Sequence, residues 1–380
     1  MHAITIVVSL ISLAIWVYLV GFHGGFWRSG QVLDAGAPSD LAKVAVIVPA
    51  RNEAEGIGRS LRSLRSQDYP GELAIILVDD NSTDGTGAIA ASLGAGERLT
   101  IITGEPLPQG WSGKLWAVAQ GLAQKKAREA DYVLLTDGDI EHGPGHISSL
   151  VAKAEADGLD MVSEMVRLNC ATLAERALIP AFVFFFQMLY PFRWVADPAK
   201  RTAGAAGGTM LVSRAAMDRI EGVSHFRGQL IDDCALAKEI KSTGGKLWLG
   251  HAERAVSTRA YASWRDVWEM IARTAYEQLR NSPVMLLGCV VGMGILYCAP
   301  PLLALFAHGP AQLAGFLSWL AMAVAFQPTL LRYRCSPLWG VALPAIAMFY
   351  VCATISSALR HHAGRGGGWK NRVYPETPTA

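Results

Sequence analysis

Carboxylates recur at three places in this chain where their chemistry would be useful: Asp79-Asp80, Asp137-Gly138-Asp139 and Asp232-Asp233. In the second, two carboxylates stand two residues apart with a glycine between them. Both can address one hard cation and the diphosphate it carries. Mg2+ or Mn2+ held there would neutralise a diphosphate leaving group as its bond breaks. Asp139 is therefore the candidate metal ligand, with Asp137 beside it. A carboxylate can also take the proton of an attacking hydroxyl, and Asp233, preceded by Asp232, is the candidate base. Asp79 or Asp80 can accept hydrogen bonds from a nucleotide's base or ribose. Plainer explanations stand beside each: Asp and Gly favour turns, and Asp232 and Asp233 can cap a helix.

The elements that would position these groups are legible as short apolar, β-branched runs alternating with helix-periodic segments. Strands are predicted at 44–49, 74–79, 99–102, 132–136, 161–163, 209–212 and 246–249. Near-continuous apolar runs at 45–48, 75–78 and 133–135 are what a largely parallel sheet covered by helices on both faces requires. Ligands bind such sheets at the carboxyl ends of the strands. The first strand ends in Pro49-Ala50-Arg51-Asn52-Glu53, before a helix predicted over 54–66 for which Asn52 is the expected N-cap. Gly110-Trp111-Ser112-Gly113-Lys114 precedes a helix predicted over 115–129 and offers Lys114 to a phosphate. The spacing of a phosphate loop is not met, which argues against an ATPase or kinase. Gly207-Gly208 opens a later strand, and Asp232 begins a helix that stops near Gly244-Gly245.

Hydrophobic residues make up 51% of the 380 and charged residues 17%, so membrane segments are expected. A net charge of +2 gives no field that favours nucleic acid. The six cysteines show no metal-binding spacing and read as small buried hydrophobes. Residues 1–24 form a predicted N-terminal transmembrane helix, and residues 25–42 a linker. Residues 43–281 form a cytoplasmic α/β domain, in which aromatic-rich 177–196 is either an interfacial helix or a buried one. Residues 282–360 hold three apolar membrane stretches, 283–307, 311–331 and 337–359, and 361–380 is a basic tail. Three full crossings would put that tail outside, against the positive-inside rule. Cys298-Ala299-Pro300-Pro301 and Pro344 suggest that one stretch is re-entrant or interfacial, with the tail, including Trp369-Lys370-Asn371-Arg372-Val373-Tyr374, inside.

Taken in order, Pro49-Ala50-Arg51-Asn52-Glu53, Asp79-Asp80-Asn81-Ser82, Gly113-Lys114, Asp137-Gly138-Asp139, Gly207-Gly208 and Asp233-Cys234-Ala235-Leu236 resemble the family 2 inverting glycosyltransferases. The flanking apolar helices resemble its lipid-acceptor branch, and most nearly the hopanoid-biosynthesis-associated transferases. The resemblance implies an A-type, Rossmann-like fold with a mostly parallel sheet and transmembrane helices at both ends. It further implies a nucleotide diphosphate sugar as donor, a membrane lipid as acceptor, Mg2+ or Mn2+, and a multi-pass protein of the inner membrane with a cytoplasmic catalytic domain. By the same resemblance Pro49, Ala50, Arg51, Glu53, Asp79, Asp80, Lys114 and Asp137 would hold the donor. Gly207, Gly208 and Trp111 would line the sugar or acceptor pocket, Asp139 would bind metal, and Asp233 would be the base. Asp232 stands where the family usually has Glu. The Gln-X-X-Arg-Trp motif of processive members is not clearly present, which disfavours polymer synthesis. Arg273, Gln278 and Arg280 lie near its place, as diphosphate contacts or as a positive flank of the membrane. The alternative from another class is a membrane scaffold that binds nucleotide sugar without turning it over.

Overall fold

Helix α1 (His2–Phe22) opens the structure, a computed structural model that describes residues 2–94, 96, 98–366, 368–369 and 372–373. There follow β1 (Val44–Ala50), α2 (Ile57–Arg65), β2 (Leu73–Asp79), α3 (Thr86–Ser92), β3 (Leu99–Thr103), α4 (Gly113–Leu122), α5 (Lys125–Arg128) and β4 (Tyr132–Leu135). Next come β5 (Ile140–His142), α6 (His146–Asp157), β6 (Met161–Arg167), α7 (Leu173–Leu189), α8 (Phe192–Ala196), β7 (Met210–Ser213), α9 (Arg214–Arg219), α10 (Asp232–Ser242) and β8 (Leu247–Ser257). Up to His362 the remainder is helical: α11 (Trp264–Gln278), α12 (Pro283–Met293), α13 (Ala299–Phe306), α14 (Pro310–Arg332) and α15 (Trp339–His362). These elements divide into a sheet unit, Gly30–Asn169 with Trp194–Arg259, and a helical unit, Met1–Ser29 with Cys170–Arg193 and Ala260–Gly367.

In the sheet unit the strand order is β3-β2-β1-β4-β7-β6-β8-β5. Every residue of β1 is buried, as its unbroken apolar run demands. Val44, Val46 and Val48 join Ile57, Leu61 and Leu64 of α2 in one core. On the other face α4 approaches so closely that a Cβ on Gly121 would lie 2.6 Å from Cγ2 of Ile47. Four strand pairings are parallel and three antiparallel, so the sheet is mixed rather than mostly parallel. The change comes at β7, which enters between β4 and β6 antiparallel to both.

Other expectations are corrected. Strand β5 was not predicted, because three residues with a central Glu141 give no apolar run. It pairs with a continuation of β8 that Gly250, Glu253 and Arg254 conceal in the sequence. Asn52 does not cap α2, which starts at Ile57; Asn52 has left-handed backbone (φ 51°), and its Oδ1 accepts from the Thr83 amide instead. The helix predicted over 115–129 is two, α4 and α5, with a break at Ala123-Gln124.

In the helical unit α7 starts at Leu173 because Thr172 and Glu175 form a capping box. Phe184 is fully buried, 5.3 Å from the Phe26 ring and 5.2 Å from that of Phe326, while Leu189 at the end of the helix is exposed. Among the described residues, five stretches are long and apolar enough to cross a membrane: Ile4–Phe22, Leu173–Ala196, Pro283–Phe306, Pro310–Arg332 and Trp339–His362. The second cannot be a single crossing, since β6 before it and β7 after it pair in one sheet. Cys298-Ala299-Pro300-Pro301 does not break its stretch; a π-helical turn, Gly294–Cys298, carries the helix past the prolines. Pro344 likewise lies inside unbroken α15. At the end of α15, Arg360 forms a two-pronged ion pair with Glu269 of α11, at 2.5 and 2.9 Å. The cysteines are less uniform than expected: Cys335 is buried, Cys352 is exposed, and Cys170 brings its sulfur to 3.5 Å from that of Cys335. Lys370, Asn371 and Tyr374 of the basic tail lie outside the described residues.

Candidate active site

The carboxyl ends of β1, β2 and β4 lie side by side, with Ala50 opposite Asp79 and Leu135 opposite Ile47. Arg51 leaves β1 and donates to the Asp80 carbonyl at 2.6 Å, and its guanidinium lies 3.7 Å from the Asp80 carboxylate. Asp80 is 1% exposed. The pair therefore ties two strand ends together, and of the two adjacent aspartates Asp79 is the more accessible. Asp79 accepts from the Ser82 amide. Asp84 accepts from the Ala54 and Thr86 amides and the Thr86 hydroxyl; these bonds outweigh its desolvation and lower its pKa.

Lys114 stands in the first turn of α4, whose N-cap Ser112 accepts from the Leu115 amide. Its ammonium is 2.9 Å from Asp137 and 3.2 Å from Asp232. Burial alone would lower the Lys114 pKa, but the two carboxylates outweigh it and the ammonium is held firmly protonated. Asp233 opens α10 beside them. Its Oδ2 accepts from the Gly207 amide at 2.9 Å and its Oδ1 from the Cys234 amide at 2.7 Å. Burial, then the charge of Asp232, pushes Asp233 up to about 6, against the pull of Lys114 and the two amides. Gly207 and Gly208 differ in role. A Cβ on Gly207 would meet Asp233 and Lys114, both at 3.4 Å, whereas one on Gly208 would strike Val166 at 2.8 Å. Lys114, Asp137, Gly207 and Asp232 share a small cavity with Pro49 and the apolar side chains of Leu115 and Phe226. Trp111 packs edge-on against Trp116, 5.2 Å between centroids, at the start of α4.

Sequence reasoning missed two features. Arg259, just past β8, donates from Nε to Asp139 at 2.7 Å and from Nη2 to both oxygens of Glu53 at 3.0 and 3.1 Å. Its only sequence signal is its place after a strand whose true end was hidden. Beneath the site, Glu164, His146, His142 and Thr136 form a buried hydrogen-bonded chain, with links of 2.5, 2.8 and 2.9 Å, that ends on the Gly208 carbonyl. Burial, reinforced by Arg254, lowers His146 to about 3, and burial, reinforced by His146, also lowers His142, so both imidazoles are neutral at physiological pH. A charged residue at 164, inside an apolar strand, was the available signal.

The remaining expected residues fall elsewhere. Arg273, Gln278 and Arg280 belong to the helical unit. Arg273 is exposed, Gln278 donates to the Tyr190 hydroxyl at 2.6 Å, and Arg280 has left-handed backbone. Among the described residues no group of three or more His, Cys, Asp or Glu side chains is arranged around a common metal position. The donor set of Asp137 and Asp139 nevertheless suits a hard cation, since each ion pair uses one carboxylate oxygen: Oδ1 of Asp137 and Oδ2 of Asp139.

The chain matches glycosyl transferase family 2 over residues 45–220, a little under half of its length. Among curated relatives, it is 30% identical over 113 residues to a 4,4'-diaponeurosporenoate glycosyltransferase of Staphylococcus haemolyticus, covering 30% of this chain and 28% of that one. It is 32% identical over 127 residues to the undecaprenyl-phosphate 4-deoxy-4-formamido-L-arabinose transferase of Proteus mirabilis, covering 32% and 36%. The chain spans about half or less of the length of the curated relatives it matches most strongly. The mannosyltransferase PcManGT of Pyrobaculum calidifontis, solved with GDP-Man and Mn2+, superposes with a TM-score of 0.52 at 21% identity, over 92% of this chain and 98% of that one. The fold is thus the A-type glycosyltransferase α/β arrangement, with a mixed sheet and several apolar helices.

Proposed function

We propose that this chain is an inverting glycosyltransferase of the cell's inner membrane. It moves a sugar from a nucleotide diphosphate sugar, a UDP-sugar in the first instance, to a membrane lipid hydroxyl at the cytoplasmic face. The observation that carries this reading is Asp233: a carboxylate held by two backbone amides at the mouth of α10, facing the Lys114 and Asp137 cluster, with a pKa near 6. A base of that strength is ionised at neutral pH yet can still accept a proton during attack. The acceptor oxygen bonds to the anomeric carbon as that carbon's bond to the diphosphate breaks. The hydroxyl proton passes to Asp233, and the electron pair leaves with the diphosphate.

In this reading Glu53 and Asp79 hold the base and ribose, with Pro49, Ala50 and the Arg51–Asp80 pair shaping the loop around them. Lys114 approaches the diphosphate, and Trp111, Gly207 and Gly208 border the sugar or acceptor. Asp137 and Asp139 would hold Mg2+ or Mn2+, which when bound neutralises charge on the departing diphosphate. Arg273 and Arg280 are the positive flank of the membrane helices rather than diphosphate ligands. The named relatives support a lipid acceptor, and the Mn2+ in the Pyrobaculum enzyme supports metal assistance. A hopanoid-class polycyclic lipid is the acceptor to try first.

The test is release of nucleoside diphosphate by purified protein in detergent, across a panel of nucleotide sugars, with Mn2+ or chelator and with lipid extract. Lipid-stimulated, chelator-sensitive release from one donor is expected, and Asp233→Asn should cut it by about 10²–10⁴-fold. Donor binding by calorimetry without release from any donor would instead make the chain a nucleotide-sugar-binding membrane scaffold.

A further inference from the structure

Both carboxylates of the Asp137-Gly138-Asp139 motif are already neutralised by the chain's own cations, Asp137 by Lys114 and Asp139 by Arg259. The two cations are not equivalent. Lys114 is a point charge among Asp137, Asp232 and Asp233, so it keeps carboxylate partners if one of them turns elsewhere. Arg259 spends its guanidinium fork on two groups from different strand ends, Nε on Asp139 after β4 and Nη2 on Glu53 after β1. Glu53 and Asp139 are both largely buried, 12% and 13% exposed at their side chains, so these two carboxylates are poorly screened. A divalent cation arriving at Asp139 would compete with a guanidinium at 2.7 Å from the same carboxylate. A nucleotide arriving without the cation would bring negative charge towards Glu53, Asp137, Asp139 and Asp232. Arriving together, the two relieve each other: the cation would take Asp139, and two phosphate oxygens would offer the planar guanidinium a bidentate partner.

We propose that Arg259 is the counter-ion that bridges Glu53 and Asp139 in the donor-free protein, and that it exchanges Asp139 for a donor phosphate oxygen on loading. Divalent cation and nucleoside diphosphate thereby bind cooperatively. This rests on the reading of the site as a metal-assisted nucleotide-sugar site. Arg259 acts here as a positioning residue: it sets the order in which charges are brought in, and takes no part in bond making.

The experiment is titration calorimetry on the full chain in detergent, with Mn2+ alone, with UDP or GDP alone, and with each in the presence of the other. In the wild type, saturating nucleoside diphosphate should tighten Mn2+ binding about tenfold or more, and Mn2+ should tighten the nucleotide by the same factor, because coupling is reciprocal. Arg259→Gln should bind Mn2+ alone more tightly than the wild type and lose most of the coupling. Arg259→Lys keeps the charge without the fork; it should retain only part of the coupling, and it provides the readout if the Gln variant does not fold. Coupling unchanged in both variants would overturn the role of Arg259 while leaving the nucleotide-sugar reading standing. A wild type that binds neither UDP nor GDP with Mn2+ would remove that reading itself, and this inference with it.

Discussion

Asp233 is where opposing local forces leave a usable proton acceptor. Burial and the neighbouring Asp232 raise its pKa, while Lys114 and two backbone amides hold it down, with the balance at about 6. In the proposed role of Asp233 as base only the ionised form can take the acceptor proton, so turnover should rise with pH through about 6 and level off above it. Replacing Lys114 with Gln removes one of the forces that lowers the pKa, so the inflection should move to higher pH, as a pH–rate profile would record. An Asp233→Asn variant should lose about 10²–10⁴-fold in transfer, the usual contribution of general-base catalysis, at every pH. An unshifted profile in Lys114→Gln would mean that some other group sets the inflection. The individual carboxylates were legible in the sequence because each sits beside a strand end or a helix start, which apolar runs and capping residues mark. Their partners were not. Arg259 meets Glu53 across 206 positions, and Glu164 meets His146 from a neighbouring element, so only the fold brings them together.

At the scale of elements, the strands of the parallel half were readable because both of their faces are buried and their sequences are uniformly apolar. Where one face is polar or the strand is short, as in β5 and the second half of β8, the pattern carried no signal. Helix α4 shows how finely an element positions the site. Its Gly121 rests on Ile47 of β1, one helical stretch away from Lys114. Gly121→Ala would press a methyl group into that contact, and overpacking of this kind costs roughly 1–3 kcal/mol. Tryptophan fluorescence during heating should show a lower unfolding midpoint, and no change would mean that α4 can ride outward freely. Membrane order follows from pairing as well. The ion pair between Glu269 and Arg360 sets the end of α15 beside α11, which follows β8 after only a short connection. A topology reporter fused after the last residue should therefore report the same side as one inserted near the exposed Ala262, just before α11. Opposite sides would mean that α12–α15 cross an odd number of times.

For the molecule as a whole, the organising fact is that the two units are interleaved along the chain. The helical unit is assembled from three separate stretches, and the middle one, Cys170–Arg193, lies between β6 and β7 of the sheet. A fragment cut at residues 30 and 259 would carry α7 without α1 and α11–α15. In the full chain Phe184 of α7 packs against Phe26 and Phe326, Gln187 donates to the Phe26 carbonyl at 2.9 Å, and the Tyr350 hydroxyl donates to the Leu178 carbonyl at 2.8 Å. Excision strips all of these partners and exposes a run of phenylalanines to water, at about 25 cal/mol for each square ångström of apolar surface. The 30–259 fragment should therefore aggregate or demand detergent, despite holding every residue of the candidate site. Size-exclusion chromatography of this fragment beside the full chain, each with and without detergent, decides it. A monodisperse fragment in plain buffer that still binds nucleoside diphosphate would show that the helical unit anchors the sheet unit without being needed for its fold. Aggregation rescued by detergent would mean that the apolar helices are part of what keeps this site folded.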